Sequence, residues 1–245
     1  METLVRSGNL DIAVREYGGD GPPVLLLHGL GGDMSVWETF APRLNGRVVA
    51  MDLRGHGKSG DGPWDWDAVL DDMATVIDHL GLSRPAVVGH SLGGIFAGMW
   101  ARRHPDCPFA VSLDGHRSAT THVRNYAGMP ADRVEADLAK LNAIFTAQEE
   151  MIVRPSREIM STLRTSPEFV DALPVFAEVT SPFLIVLATR NLPVPPDLVE
   201  LMDAHRAGVR RDLALLTNIR VLEFDATHGM VVERPAELAA IINGR

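Results

Sequence analysis

Ala86-Val87-Val88-Gly89-His90-Ser91-Leu92-Gly93-Gly94-Ile95 is the stretch whose reading decides the fold. A short apolar run leads into Gly-x-Ser-x-Gly, and a helical pattern over Ile95–Arg103 follows it. The pentapeptide is common by itself. Between a buried strand and a helix it marks a turn so tight that only glycine fits on either side. Such a turn lifts the serine hydroxyl to a helix N-terminus, where developing negative charge is favoured. The G-x-G-x-x-G dinucleotide pattern and the Walker lysine are both missing from this turn. Ser91 is therefore the candidate nucleophile.

Working outward, short apolar runs alternate with helical patterns, as in a parallel sheet covered on both faces. The runs are Val24–Leu27, Val48–Met51, Ala86–Val88, Phe109–Leu113, Phe183–Ala188 and Ile219–Phe224, preceded by a hairpin turning at Ser7-Gly8-Asn9. Val69, Leu70, Met73, Val76, Ile77 and Leu80 recur at helical spacing, and Gly81 stands where the helix should end. Further helices are expected near Trp37–Leu44, Ile95–Arg103 and Pro235–Ile242. One stretch breaks the alternation. Between Gly115 and Thr180 only helical patterns appear: Val134, Leu138 and Leu141 on one face, Ile159, Met160 and Leu163 on another, and Ser166-Pro167 as a helix start. We expect an α/β core of residues 1–114 and 181–245, built on a mostly parallel eight-stranded sheet, with 115–180 inserted as a helical cap.

His28-Gly29-Leu30-Gly31-Gly32 follows the first of the parallel strands, and Asp52-Leu53-Arg54-Gly55-His56-Gly57-Lys58-Ser59 follows the next. With the Ser91 turn, these segments resemble the α/β-hydrolase superfamily in order and spacing, over essentially the whole chain outside the insertion. The resemblance implies a serine hydrolase of the esterase or lactonase kind. Acyl transfer needs backbone donors aimed at the oxyanion, and the family places them at the N–H groups of Leu30 and Leu92, in a loop shaped by Gly29 and Gly31. The Asp52–Ser59 segment carries Asp, Arg, His and Ser in eight residues, yet in this family it is a structural loop.

A serine hydroxyl needs a base. Of nine histidines, His228 in Asp225-Ala226-Thr227-His228-Gly229 follows the last strand and precedes the final helix, where the family keeps its base. The usual position of the triad acid, after Phe183–Ala188, is held here by Asn191, which can orient an imidazole but cannot balance imidazolium charge. Some relatives carry the acid at the end of the preceding strand, which here is Asp114. We take Asp114 as the acid, against the alternative that it caps the insertion while Asp197 or another carboxylate does the work. His116 and Arg117 suit either contact with a polar substrate or anchoring of the cap. Met129, Phe145, Met151, Met160, Phe169 and Phe176 punctuate the insertion; they read as cap core, with Met129, Phe145 and Met151, beside Gly29 and His116, carried as candidates for lining a pocket.

The bulk numbers narrow the partners. A net charge of −9 argues against a nucleic-acid face. A single cysteine, Cys107, excludes an internal disulfide and a thiolate metal cluster. The apolar runs fall short of the roughly 18 residues a membrane span needs, and the N-terminus has neither the basic start nor the apolar run of a signal peptide. The expectation is a cytoplasmic enzyme for a small-molecule ester, lactone or thioester, with no cofactor or metal. Two other activities share the same triad, carbon–carbon bond hydrolysis and cyclisation in natural-product tailoring. A different class, a non-catalytic ligand-binding relative, stays open because of Asn191. Serine at 91 argues against haloalkane dehalogenase and epoxide hydrolase, which place aspartate there.

Overall fold

The computed structural model describes residues 1–244. Eight strands form one sheet: β1 (Glu2–Ser7), β2 (Leu10–Gly18), β3 (Pro23–Leu27), β4 (Arg47–Met51), β5 (Ala86–His90), β6 (Ala110–Leu113), β7 (Phe183–Ala188) and β8 (Arg220–Phe224). Their spatial order is β1-β2-β4-β3-β5-β6-β7-β8. The N-terminal hairpin pairs antiparallel, β2 joins β4 antiparallel, and every later pair is parallel.

The central strands are apolar throughout because both faces are covered. In β3, Leu25 and Leu27 enter one core while Leu26 enters the other, as the period of two requires. The first core packs under α1 (Trp66–His79) and α2 (Leu92–Arg103). Helix α1 starts on Asp65, whose side chain accepts the Ala68 N–H, and ends before Gly81 at φ +61°, the left-handed stop that glycine favours. β8 forms the sheet edge, short and with Arg220 and Glu223 exposed, a composition that discourages edge-to-edge pairing.

The helix expected over Trp37–Leu44 does not form. Pro42 cannot donate to a helical ladder and would clash with the preceding turn. The chain instead makes two 3₁₀ turns, Met34–Trp37, capped by Asp33, and Ala41–Arg43 with the proline at its start.

Between β6 and β7 lie a 3₁₀ turn, Val123–Asn125, and four α-helices, α3 (Ala131–Glu149), α4 (Arg157–Thr165), α5 (Pro167–Val170) and α6 (Leu173–Ala177). Their packing divides. Ile159 and Leu163 of α4 and Leu173, Val175 and Phe176 of α6 belong to the main core. Val134 and Leu141 of α3 instead form a separate cluster with Leu201 and Ala204 of α7 (Val199–Leu213). The chain closes with α8 (Met230–Glu233) and α9 (Pro235–Asn243). Among the described residues, no helix is long and apolar enough to cross a membrane.

Candidate active site

Three strand ends bring the sequence's chemistry to one place, at the carboxyl edge where open α/β sheets hold ligands. Ser91 sits between β5 and α2 at φ +54°, ψ −118°, its N–H donating to the Leu113 carbonyl at 3.0 Å. Asp114 follows β6 at φ +53°, its N–H donating to the Val186 carbonyl at 2.8 Å. Among the described residues only Arg84 shares this positive φ outside glycine. Such backbone costs on the order of 1–3 kcal/mol and persists where the surroundings over-determine it. At the Ser91 turn the surroundings are backbone. A Cβ built on Gly93 would lie 2.2 Å from the Leu27 carbonyl oxygen, and one on Gly89 would lie 1.9 Å from that of Gly93.

His228, beyond β8, places Nδ1 2.8 Å from Asp114 Oδ2. The other Asp114 oxygen accepts the Ala188 N–H at 2.9 Å and faces His116 Nε2 at 3.3 Å. Burial opposes the ionisation of Asp114, but the bonds to His116 and His228 outweigh it and hold the carboxyl well below its ordinary value. His116 Nδ1 accepts the Arg117 N–H at 2.8 Å, so its proton lies on Nε2, toward the carboxylate. His90 Nε2 donates to the His228 carbonyl at 2.7 Å. Burial, helped by the neighbouring His228, pushes His90 down to about 4, so it makes this contact as a neutral ring.

The other acid candidates point elsewhere. Asn191 donates to Asp203 at 2.7 Å and accepts from Arg206, and Asp197 pairs with Lys140 at 3.0 Å. On the far side of Ser91, a Cβ built on Gly29 would stand 3.0 Å from the Ser91 Cβ, so the loop leading to Leu30 runs directly beside the serine. His28 pins that loop: Nε2 accepts the Leu53 N–H at 3.0 Å while Nδ1 donates to the Gly29 carbonyl at 2.8 Å. Leu92 follows Ser91 as the first residue of α2.

Ser91, Leu92, Asp114, His116 and His228 line a cavity of about 320 Å³. Phe145 lines it too, with Leu141 and Ile144 of the same helix. Met129 does not; it packs against the cluster around Tyr126 and Val134. Met151 is also outside the cavity, 83% exposed. Helix α3 ends at Glu149, so the helical phase that would turn Met151 inward is lost. Ile152 also stays off the cavity lining and packs on the Gly31 loop, its Cδ1 3.2 Å from where a Cβ on Gly31 would sit. Arg117 anchors the insertion, bonding Asp171 and Asp212 at 2.9 Å each. Cys107 is buried away from these residues, and burial pushes its thiol up to about 11.

Residues 24–241 match the alpha/beta hydrolase family. The chain belongs to that family. Lipase LipV of Mycobacterium tuberculosis is 28% identical over 96% of this chain and 98% of its own. A pimeloyl-[acyl-carrier protein] methyl ester esterase of Chromobacterium violaceum is 48% identical over a shorter stretch, 39% of this chain and 37% of that protein. Among solved structures, the enol-lactonase of Burkholderia xenovorans LB400 superposes with a TM-score of 0.69 at 21% identity, covering 98% of each chain. That likeness is one of fold.

In this hydrolase one wall of the cavity escaped the sequence reading. Met202, His205, Arg206 and Val209 of α7 all face it. Their spacing of i, i+3, i+4 and i+7 is that of a single helix face, a signal present in the sequence. His205 Nε2 donates to the Ser118 carbonyl at 3.0 Å, and burial above all pushes this ring down to about 3.

Proposed function

We propose that this hydrolase cleaves a carboxylic ester, lactone or thioester through an acyl-enzyme on Ser91. The observation that carries the reading is the convergence of Ser91, Asp114 and His228 on one cavity, with the His228 imidazole bonded through Nδ1 to a buried carboxylate. That bond leaves Nε2 as the basic nitrogen. In the proposed reaction, His228 Nε2 takes the Ser91 proton as Oγ attacks the substrate carbonyl. Asp114 keeps the ring in its tautomer and balances the imidazolium charge. The Leu30 and Leu92 amides receive the oxyanion. His228 then protonates the departing alcohol or thiol, and water, deprotonated by the same imidazole, releases the acid. Residues 115–180 act as the cap, supplying Leu141, Ile144, Phe145 and Phe169 to the cavity.

The test is an ester, lactone and thioester panel on wild type and Ser91→Ala, with fluorophosphonate labelling of both. Wild type should turn over members of the panel and take the label at Ser91. Ser91→Ala should lose the label and about 10³-fold or more of the rate, with an unchanged melting temperature. Turnover that survives in Ser91→Ala, or a folded wild type that neither labels nor hydrolyses, would overturn the reading.

A further inference from the structure

Three arginines line the cavity, and their partners separate them. Arg117 is held between Asp171 and Asp212. Arg190 pairs with Asp225 at 3.2 Å and Glu233 at 3.0 Å. Arg206 has no ion pair among the described residues. One terminal nitrogen donates to the Ala188 carbonyl and the other to the Asn191 side-chain oxygen, both neutral acceptors. Its Nε takes part in no hydrogen bond among the described residues. The guanidinium is half-buried, and removing a charge from water is costly unless an opposite charge meets it.

The carboxylates that act on it are already occupied: Asp203 bonds Asn191, Glu223 pairs with Arg210, and Asp114, whose pull on Arg206 is the largest of the three, is committed as well. Asp114 gives its two oxygens to the Ala188 amide, His116 and His228. Ala188 is shared: its N–H serves Asp114 and its carbonyl serves Arg206, which places the guanidinium one residue from the candidate acid. A neutral amide side chain could make the same two ties without burying a charge. The planar fork of arginine is suited to a carboxylate. The cavity around it is apolar, with Leu141, Ile144 and Phe145 on one wall and Met202 and Val209 on the other.

We propose that Arg206 anchors a carboxylate carried by the substrate, so that the enzyme's substrates are esters, lactones or thioesters of dicarboxylic acids whose two ends are separated by a short apolar spacer. The apolar walls take the spacer, and the scissile carbonyl lies at Ser91. This rests on the hydrolase reading given above.

The test compares 4-nitrophenyl butyrate with the 4-nitrophenyl monoester of glutarate, taking the ratio of their kcat/KM values within each variant. In wild type the glutarate monoester should be favoured by about 10-fold or more, the size of a charged hydrogen bond. Arg206→Gln should bring the ratio down by about the same factor, and Arg206→Lys, with the charge but not the fork, should fall between. A wild-type ratio at or below one overturns the proposal. So does an unchanged ratio in Arg206→Gln, or an equal loss on both esters in Arg206→Gln and Arg206→Lys, which would mean that Arg206 only positions the Asp114–Ala188 corner. Should Arg206→Gln not fold, Arg206→Lys decides the matter by the same ratio. If wild type hydrolyses neither ester, the catalytic reading fails separately. Calorimetric titration with glutarate then tests Arg206 directly: weaker binding by Arg206→Gln than by wild type supports the anchor, and equal or absent binding overturns it.

Discussion

The molecule carries two sets of aspartate, histidine and serine, and they have opposite fates. Asp52, His56 and Ser59 lie within eight residues of one loop; Ser91, Asp114 and His228 are spread across three strand ends. In the first set every oxygen is spent on backbone. Asp52 accepts the Met34 N–H at 2.7 Å and the Lys58 N–H at 2.8 Å. Ser59 Oγ donates to the Asp52 carbonyl at 2.7 Å and accepts the Ala13 N–H at 2.9 Å. His56 is fully buried, with Nδ1 on the Arg54 carbonyl at 3.0 Å. In the second set, Asp114 and His228 bond one another, and all three residues line a cavity. The same residue types thus build either a knot or a site. What separates them is whether the hydrogen bonds end on the chain's own backbone or leave atoms free for a substrate.

The largest expected effect tests the second set. Asp114→Asn should keep the fold while removing the charge that balances His228, lowering kcat by about 10³–10⁴-fold. Asn191→Ala should change it by less than about threefold, since Asn191 bonds Asp203 and Arg206 rather than His228. Steady-state kinetics on the two variants would break the comparison if the losses were reversed. Next is Asp52→Ala. It leaves two backbone donors without acceptors in the first set, at a cost of about 3 kcal/mol in urea unfolding. Its kcat, measured well below the melting temperature, should stay within a few-fold of wild type. A large kcat loss without a stability loss would place Asp52 in the chemistry.

Much of this was legible in the residues. The Ser91 turn was readable because a strand, two obligatory glycines and a helix start coincide within a few positions, and each constrains the backbone independently. Asp114 could be singled out because Asn191 occupies the commoner acid position and the end of the preceding strand holds a carboxylate. Its contact with His228, by contrast, exists only in three dimensions, since it closes β6 onto the loop after β8. The residues of the segment between β6 and β7 were harder. Residue type alone points Met129 and Met151 to a pocket, but an apolar side chain in such a segment can face a cavity, a neighbouring helix or solvent with equal local propensity. Tertiary packing and the end of α3 at Glu149 made that choice. The α7 wall was missed for a different reason: its helical face mixes Met202 and Val209 with His205 and Arg206, so it carries no clean apolar stripe.

The smaller effects probe the first set further. Burial chiefly pushes both His28 and His56 down to about 4. Their folded values lie below the unfolded value near 6.5. As pH falls through 6.5, the unfolded chain takes up protons that the folded chain refuses, so stability is lost progressively until about pH 4, where the folded rings titrate as well. Between pH 7 and pH 5 each ring should remove at most about 2 kcal/mol. Urea melts at the two values should show the drop, to which the buried His90 and His205 add their own shares, and His56→Gln should shrink it by one ring's share; an undiminished drop in His56→Gln would contradict the sealed loop. Ser59→Ala closes the series at about 1–2 kcal/mol, because it frees the Ala13 N–H and the Asp52 carbonyl together. Ser59 and Ser91 are both serines beside a histidine motif, yet the alanine variant of the first should be a stability mutant with wild-type kinetics. The alanine variant of the second should be the reverse. If Ser59→Ala instead slowed turnover at full stability, the loop could no longer be read as a knot, and the line between the two sets would have to be drawn by something other than where their hydrogen bonds end.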